Sequence, residues 1–200
     1  MKKFLSVLLM TLLAAILTGC GEETTSKPAE PIASEAVEAA PSDKILVAYF
    51  SCTGNTKRAA EEVAELLNAD TFEIIPAEPY TPADLDYNVE DCRANLEQKD
   101  SSARPAIKNP LDASSARYKA IVIAYPIWWG AEPRIIDTFV ESLDLNGKII
   151  VPVCTSGGSD IQTSVQNLRG LCKGADVRDG KRLGIIGKDE LKTWLDSLKL

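Results

Sequence analysis

Hydroxyl and amide side chains follow an apolar run early in the chain. Residues 45–56 read ILVAYFSCTGNT, in which a strand-like segment leads into a loop and then into an expected helix. Gly54 lets the loop turn closely, and the positive end of the helix dipole points to the same place. The side-chain donors of this loop are Ser51, Thr53, Asn55 and Thr56. Together they predict a site for a phosphate monoester that needs no cationic side chain.

Two other nucleotide motifs are absent from the sequence. No GxxxxGK[ST] follows the first strand, which disfavours a nucleoside triphosphate with Mg²⁺, and no GxGxxG is present for a dinucleotide. The predicted ligand is therefore a mononucleotide. An ordinary strand-to-helix turn is the alternative, because Ser, Thr and Asn commonly cap helices.

Two further loops follow apolar strands. Residues 125–133 read YPIWWGAEP, and adjacent tryptophans at a strand end are costly unless a flat group covers them. Residues 154–160 read CTSGGSD, a run of small residues whose amides could bond the edge of a heterocycle. A Gly-Ser turn with Ser159 as the helix N-cap is the alternative for this last loop.

The S-x-T-G-N-T of residues 51–56 and the P-I-W-W-G of residues 126–130 resemble the loops of long-insert members of the flavodoxin family. The resemblance covers most of residues 44–200 and implies FMN as the cofactor. The cofactor-binding residues that it implies are Ser51, Cys52, Thr53, Gly54, Asn55, Thr56, Pro126, Ile127, Trp128, Trp129, Gly130, Thr155, Ser156, Gly157, Gly158 and Ser159.

The resemblance also implies roles for the second and third loops. Trp128 and Trp129 would flank the flavin ring, with one of them packed under the long insertion, and the Gly130–Ala131 peptide could turn its amide toward flavin N5. The third loop matches only loosely, since it lacks the tyrosine that short-chain flavodoxins stack on the ring. That absence would leave one flavin face open, as hydride transfer from a nicotinamide requires. Glu132 is the acid nearest the ring by sequence, where its negative charge would disfavour the anionic hydroquinone.

Strand-like and helical runs alternate along residues 44–200, which predicts an α/β fold with a parallel sheet and helices on both faces. The resemblance implies a doubly wound five-stranded sheet in the order 2-1-3-4-5, with the ligand at the ends of strands one and three, where the winding reverses. The fifth strand is expected at residues 175–178 and could extend to 183. Residues 76–117 are too long for a bare loop, so a helix is expected within 84–100.

Histidine is absent, which excludes Ser-His-Asp, Cys-His and histidine-bearing metal sites. We therefore predict no catalytic side chain and no metal, and expect the chemistry to come from a bound cofactor. The domain cysteines are Cys52, Cys92, Cys154 and Cys172, which lack CxxC spacing. A bridge between Cys52 and Cys154 and four isolated thiols are both compatible with the sequence.

The N-terminal region has the features of a bacterial lipoprotein. Residues 1–19 form a predicted signal peptide with Lys2 and Lys3 ahead of an apolar core, and residues 17–20 (LTGC) resemble a lipobox that would make Cys20 the lipid anchor. Residues 20–43 are predicted to be a disordered tether rich in Ala, Glu, Pro and Ser. We expect an extracytoplasmic protein anchored to the cell membrane. A plain secretory signal is the alternative.

The net charge of the chain restricts the kinds of binding partner that are expected. The chain carries a net charge of −7; without Lys2, Lys3 and the tether, which holds six acids and one lysine, about −4 remains on the domain. No basic face or nucleic-acid motif is visible, so no nucleic-acid role is predicted. The expected function is electron transfer to a redox partner protein or a small-molecule acceptor. The alternatives are an FMN-dependent NAD(P)H oxidoreductase of the quinone or flavin reductase type, and a non-catalytic flavin-binding module.

Overall fold

The computed structural model describes residues 43–111, 113–184 and 186–200. The predicted signal peptide, the lipidated Cys20 and all of the predicted tether except Asp43 lie outside the described residues. Within the described part, no helix has the length and apolar character needed to span a bilayer.

The sheet contains four longer strands and two short ones at one edge. They are β1 (Lys44–Tyr49), β2 (Asp70–Glu73), β3 (Tyr118–Pro126), β4 (Ile149–Thr155), β5 (Asp176–Val177) and β6 (Lys181–Leu183). All pairings between named strands are parallel, and the order is β2-β1-β3-β4-β5, with β6 also paired to β4. The α/β class and the flavodoxin-like order 2-1-3-4-5 predicted above are confirmed.

The described residues form five α-helices, of which the first four lie between strands and the fifth follows β6: α1 (Asn55–Leu67), α2 (Arg93–Lys99), α3 (Arg134–Glu141), α4 (Gln162–Leu171) and α5 (Lys188–Ser197). Short 3₁₀ turns lie at Ala83–Leu85 and Ala113–Arg117. Helix α4 has Ile161 rather than Ser159, the alternative considered for this loop, as its N-cap residue, and the Asp160 carboxylate accepts a hydrogen bond from the Gln162 amide (3.1 Å) just before the helix. Pro133 occupies the N-cap position of α3, where its missing amide proton costs nothing.

Side chains of the central strands alternate between two apolar cores. Leu46, Ile121 and Ile150 pack toward α3 and α4, whereas Val47, Val122 and Val151 pack toward α1 and α5. Burial on both faces explains why these strands are continuously apolar. Trp194 is half-buried against the second core.

The predicted fifth strand is divided into β5 and β6. Gly180 lies between the two pieces, and a Cβ atom at this position would come within 2.6 Å of the Pro152 carbonyl oxygen and 2.7 Å of Ile161 Cδ1. The backbone can approach β4 this closely only because residue 180 has no side chain. The sheet consequently has six strands rather than the five expected.

The long insertion between β2 and β3 contains α2, inside the range where a helix was expected. Arg93 fixes this helix by donating to the Glu97 carboxylate (2.7 Å) and to the Glu78 carbonyl (2.8 Å). The guanidinium of Arg93 also stacks 4.0 Å from the centre of the Tyr80 ring, and the Tyr80 hydroxyl donates to Glu97. The insertion is thus an ordered covering over one end of the sheet.

Candidate functional site

Three loops meet where β1, β3 and β4 end. These strands are neighbours in the sheet, so their carboxyl ends open at one edge. The hydroxyls of Thr56 and Thr155 share a hydrogen bond of 2.7 Å, which joins the first loop to the third. The Ile127 amide donates to the Thr155 carbonyl (2.9 Å), which joins the second loop to the third. The three loops therefore form one connected site.

The first loop presents the start of α1 to this site. The Gly54 amide donates to Ser51 Oγ (3.1 Å), and the Asn55 side-chain amide donates to Thr53 Oγ1 (3.3 Å). Gly54 is the N-cap residue, yet no side chain caps the helix and its first turn holds no acid. The first amides of α1 are left for an incoming acceptor, and the helix dipole favours an anion there.

Arg58 adds a cation that the sequence reasoning missed. It lies in the first turn of α1, donates to Asn55 Oδ1 (2.8 Å) and lines the cavity beside the loop. The prediction of a phosphate site that needs no cationic side chain did not include this residue, which lies beside the predicted phosphate loop. The sequence contains a signal for the position of Arg58. Residues three apart on a helix share a face, and Arg58 follows Asn55 by three residues.

The second loop forms a tight turn around the two tryptophans. The backbones of Trp128 and Ala131 exchange hydrogen bonds of 2.9 and 3.1 Å, and the two residues between them both have positive φ, 49° at Trp129 and 81° at Gly130. Positive φ at both central positions is typical of a type I′ turn. Glycine adopts this conformation without cost, whereas at Trp129 it is strained and must be held by contacts elsewhere.

The two tryptophans have different environments. Trp128 is half-buried and makes edge-to-face contacts with Phe50 and with Tyr80 of the insertion, at ring-centre distances of 5.6 and 5.2 Å. Trp129 is 67% exposed. Trp128 is thus the tryptophan that packs under the insertion, and Trp129 presents its ring at the mouth of the site.

Helix α2 braces the tryptophan turn through two amide side chains on one face. Asn95 Oδ1 accepts a hydrogen bond from Trp129 Nε1 (2.6 Å), while its amide group donates to the carbonyls of Tyr87 and Val89. Gln98 Nε2 donates to the carbonyls of Trp128 (2.9 Å) and Glu132 (3.1 Å), the residues on either side of the turn. The strained turn is held from the insertion, a role that the sequence reasoning did not assign.

The third loop consists of small residues held from the sheet edge. The Gly158 amide donates to Ser156 Oγ (3.1 Å), and Arg182 of β6 donates to the Gly158 carbonyl (2.8 Å). Thr155 and Ser156 are half-buried, and the next three residues are exposed. This loop supplies backbone and hydroxyl groups but no aromatic ring.

A cavity of about 1020 Å³ lies between these loops. This volume is at the upper end of the usual range for small-molecule sites, about 300–1,000 Å³. The residues predicted to bind the cofactor that line it are Ser51, Cys52, Thr53, Asn55, Thr56, Pro126, Ile127, Trp128, Trp129, Gly130, Thr155, Ser156, Gly157 and Ser159. Gly54 and Gly158 do not line it; they shape the turns of their loops.

The insertion contributes wall residues that were not predicted. Leu85, Tyr87, Ala94 and Asn95 line the cavity from this side. Tyr87 is 67% exposed, so its ring is available to a ligand. An aromatic side chain is thus present at the cavity even though the third loop has none, which weakens the prediction of an uncovered flavin face.

Glu132 does not contribute the surface charge that was expected of it. Its side chain is 0% exposed, and burial raises the pKa of its carboxyl to about 7. The neighbouring Asp137 carboxylate acts in the same direction. Burial therefore disfavours the negative charge that was expected at this residue, and the carboxyl is mostly protonated in acidic solution.

The domain cysteines are free thiols. Cys92, Cys154 and Cys172 are buried, Cys52 is exposed at the cavity, and the hypothetical bridge between Cys52 and Cys154 is not formed. Across residues 43–111, 113–184 and 186–200, no cluster of His, Cys, Asp or Glu side chains could hold a metal ion.

The sequence and structure match known proteins. The chain matches a family model described as Flavodoxin over residues 44–198. Among solved structures it is similar to a protein titled as a flavoprotein from Bacteroides eggerthii, with 43% identity and a TM-score of 0.75 over 78% of this chain and 98% of the other. A similarly titled protein from Bacteroides uniformis has 42% identity and a TM-score of 0.74 over 78% and 99%.

A more distant likeness supports the fold alone. A flavoprotein solved in complex with FMN from Lactobacillus acidophilus has 24% identity and a TM-score of 0.61 over 77% of this chain and 99% of the other. Among curated proteins there is no match to the sequence. From the family match over residues 44–198 and the strand order, the chain belongs to the flavodoxin family.

Proposed function

We propose that this protein binds FMN in the three-loop cavity and transfers electrons to a redox partner, while Cys20 anchors it to the membrane. One observation carries the proposal. An uncapped helix start, an exposed tryptophan on a braced turn and a loop of small residues line the same cavity. These are the groups that a phosphate, a flat ring and the polar edge of that ring require.

The residues of the site fit FMN in a consistent orientation. The first amides of α1 with Thr56 and Arg58 would hold the phosphate, because they supply donors and positive charge without a first-turn acid to oppose them. Trp129 and Tyr87 would lie against the ring system, and the amides of Ser156 and Gly157 would face its polar edge. When bound, FMN supplies the redox chemistry, and the protein supplies orientation and electrostatic tuning.

The rim of the cavity favours a protein partner over an anionic dinucleotide. Residues 81–92 of the insertion read TPADLDYNVEDC, and this stretch carries four acids and no base, although one of the four, Glu90, pairs with Lys99 (3.3 Å). It includes Leu85 and Tyr87, which line the cavity. An acidic rim attracts basic proteins and repels the diphosphate of NAD(P)H. This charge pattern supports the electron carrier over the NAD(P)H oxidoreductase.

Rapid mixing separates these two functions. The FMN-loaded protein is mixed anaerobically with NADH or NADPH, and the flavin absorbance is followed. A carrier shows negligible bleaching with either nicotinamide, and after chemical reduction it passes electrons to a basic c-type cytochrome in a reaction that slows as salt is added. Bleaching within milliseconds would establish the oxidoreductase instead. Absence of exchange with either reagent would leave a binding module.

The membrane anchor has its own test. Mass spectrometry of the protein from the producing cell should show a chain that begins at Cys20 and carries the added mass of acyl chains, and Cys20→Ser should lack this added mass. Wild-type protein without acyl chains on Cys20 would refute the anchor without affecting the assignment of the cavity.

A further inference from the structure

Two buried carboxyl groups lie directly behind the tryptophan turn. Glu132 follows the turn in sequence and is 0% exposed, and Asp137, in the first turn of α3, is 2% exposed. The Asp137 carboxylate lies close enough to Glu132 to raise the pKa of its carboxyl. Two ionised carboxylates repel each other, and neither has a proton to donate to the other. A proton held by the pair would remove this repulsion and allow a hydrogen bond between the two groups.

The unpaired oxygens of the two groups locate that proton. Glu132 Oε2 accepts from Asn167 Nδ2 (3.3 Å), but Glu132 Oε1 has no partner. Asp137 Oδ2 accepts from Arg134 (3.1 Å) and lies 3.7 Å from an Arg104 nitrogen, but Asp137 Oδ1 has no partner. Buried polar atoms without partners are rare and costly. A proton on Glu132 Oε1, donated to Asp137 Oδ1, satisfies both atoms at once.

The charges around the pair assign the proton to Glu132. Arg134 and Arg104 are balanced by Asp137 and by Glu141, which pairs with Arg104 through two hydrogen bonds of 2.7 and 2.8 Å. An ionised Glu132 would add a second buried negative charge beside Asp137, and Arg134, which already pairs with Asp137, offsets only part of the cost of that charge. Such a charge costs several kcal/mol unless it is paired.

Other titratable groups near the pair do not supply a competing charge. Tyr125 of β3 and Cys172 after α4 interact with the two acids, and burial raises the pKa of both so that they remain neutral near pH 7. Asp100, after α2, is exposed, and hydrogen bonds from Ser102 lower the pKa of its carboxyl. Glu132 is therefore the group of this cluster that changes charge near neutral pH.

We propose that Glu132 and Asp137 hold a single proton behind the Trp128–Ala131 turn and that this proton couples the reduction of the cavity ligand to pH. The coupling rests on the proposed function. Between the pKa values of the pair in the oxidised and reduced states, an electron delivered by the external donor is accompanied by uptake of part of a proton equivalent from water onto Glu132 Oε1. The O–H bond forms on reduction and breaks on reoxidation, when the proton returns to solvent. A negative charge arriving nearby favours the protonated pair.

The shared proton is tested first on the flavin-free protein. Carboxyl ¹³C resonances of Glu-labelled protein are titrated between pH 4 and 9, and Glu132→Gln identifies the signal of residue 132. We expect this signal to titrate near pH 7, where burial and Asp137 place its pKa. Asp137→Asn should shift the titration downward, because the competing carboxylate is gone and both arginines remain. A midpoint near 4.3, the ordinary value for glutamate, would overturn the shared proton.

The coupling is tested next on FMN-loaded protein. The reduction potential is measured from pH 5 to 9 for wild type, Glu132→Gln and the control Asp144→Asn, which removes an exposed acid beyond α3. Wild type and control should show a break in slope near the pKa found by NMR, and Glu132→Gln should lack it. The pKa in the reduced state should be higher by about half a pH unit or more.

The two measurements separate the possible failures. A break that persists in Glu132→Gln would overturn the coupling, while the carboxyl titration still decides the shared proton. If the protein takes up no FMN, the proposed function fails, and the coupling fails with it. The NMR result on flavin-free protein then stands alone.

Discussion

Replacing Glu132 with glutamine should change how the free energy of unfolding depends on pH. Burial and Asp137 raise the pKa of this carboxyl from 4.5 to about 7. The native state therefore binds more protons than the unfolded state between these two values, and its stability falls as the pH rises through this window. Each unit of pKa difference corresponds to about 1.4 kcal/mol, so the free energy of unfolding should fall by about 3 kcal/mol between about pH 4.5 and pH 7 because of this one group.

Glutamine imitates the protonated acid at every pH. Its amide can donate to Asp137 Oδ1 as the proposed proton does, and it cannot ionise. At pH 4.5 the variant and wild type should have similar unfolding free energies. By pH 8 the variant should be more stable than wild type by about 3 kcal/mol, because only wild type bears the cost of an ionised Glu132.

The assay is urea unfolding of the flavin-free protein at pH 4.5, 6, 7 and 8, followed by circular dichroism. The slope of free energy against urea should be the same for both proteins, so that the midpoints report stability. Glu190→Gln is the control, since Glu190 is exposed and pairs with Lys181 at the surface. Curves for Glu132→Gln and wild type that stay parallel within about 0.5 kcal/mol across this range would refute the reasoning.

Three further substitutions test the cavity. Thr56→Val should weaken FMN binding by about 10- to 100-fold in calorimetry, as expected when a hydrogen bond to a charged group is lost, whereas the exposed Thr163→Val should leave binding unchanged. Asn95→Leu should free the Trp129 indole, which is then quenched more readily by acrylamide; unchanged quenching would show that the brace is unimportant. Gly130→Ala should lower the unfolding free energy by about 1–2 kcal/mol, because alanine is strained at φ 81°.

The continuous apolar strands and the small-residue loops at their ends were readable from the sequence. Strands β1, β3 and β4 are buried on both faces, so almost all of their residues are apolar. The polar and small residues of the loops that follow these strands therefore mark where each strand ends. Helix ends were less certain, since α4 begins after Ile161, an apolar N-cap residue without a side-chain hydrogen bond that the sequence does not mark as a helix start. The division of the edge strand at Gly180 could not be predicted, because it depends on how closely the backbone of Gly180 approaches Pro152 in the folded chain.

The missed parts of the site depend on tertiary contacts. Asn95 and Gln98 look like surface polar residues of a short helix until the insertion folds back onto the tryptophan turn. Glu132 was correctly placed near the ring loop by sequence, but its charge state depends on Asp137, Asn167 and the surrounding apolar residues. Local propensity does not contain this information, because burial and partners are properties of the assembled fold.

Titration of the flavin-free protein with FMN tests the central claim most directly. If the three loops form one binding site, FMN should quench the indole emission of Trp128 and Trp129 and saturate at one equivalent. Riboflavin, which lacks the phosphate, should bind more weakly because the free amides at the start of α1 then have no anion to which they can donate hydrogen bonds. Indole emission that stays unchanged at excess FMN, or equal affinity for FMN and riboflavin, would contradict the account.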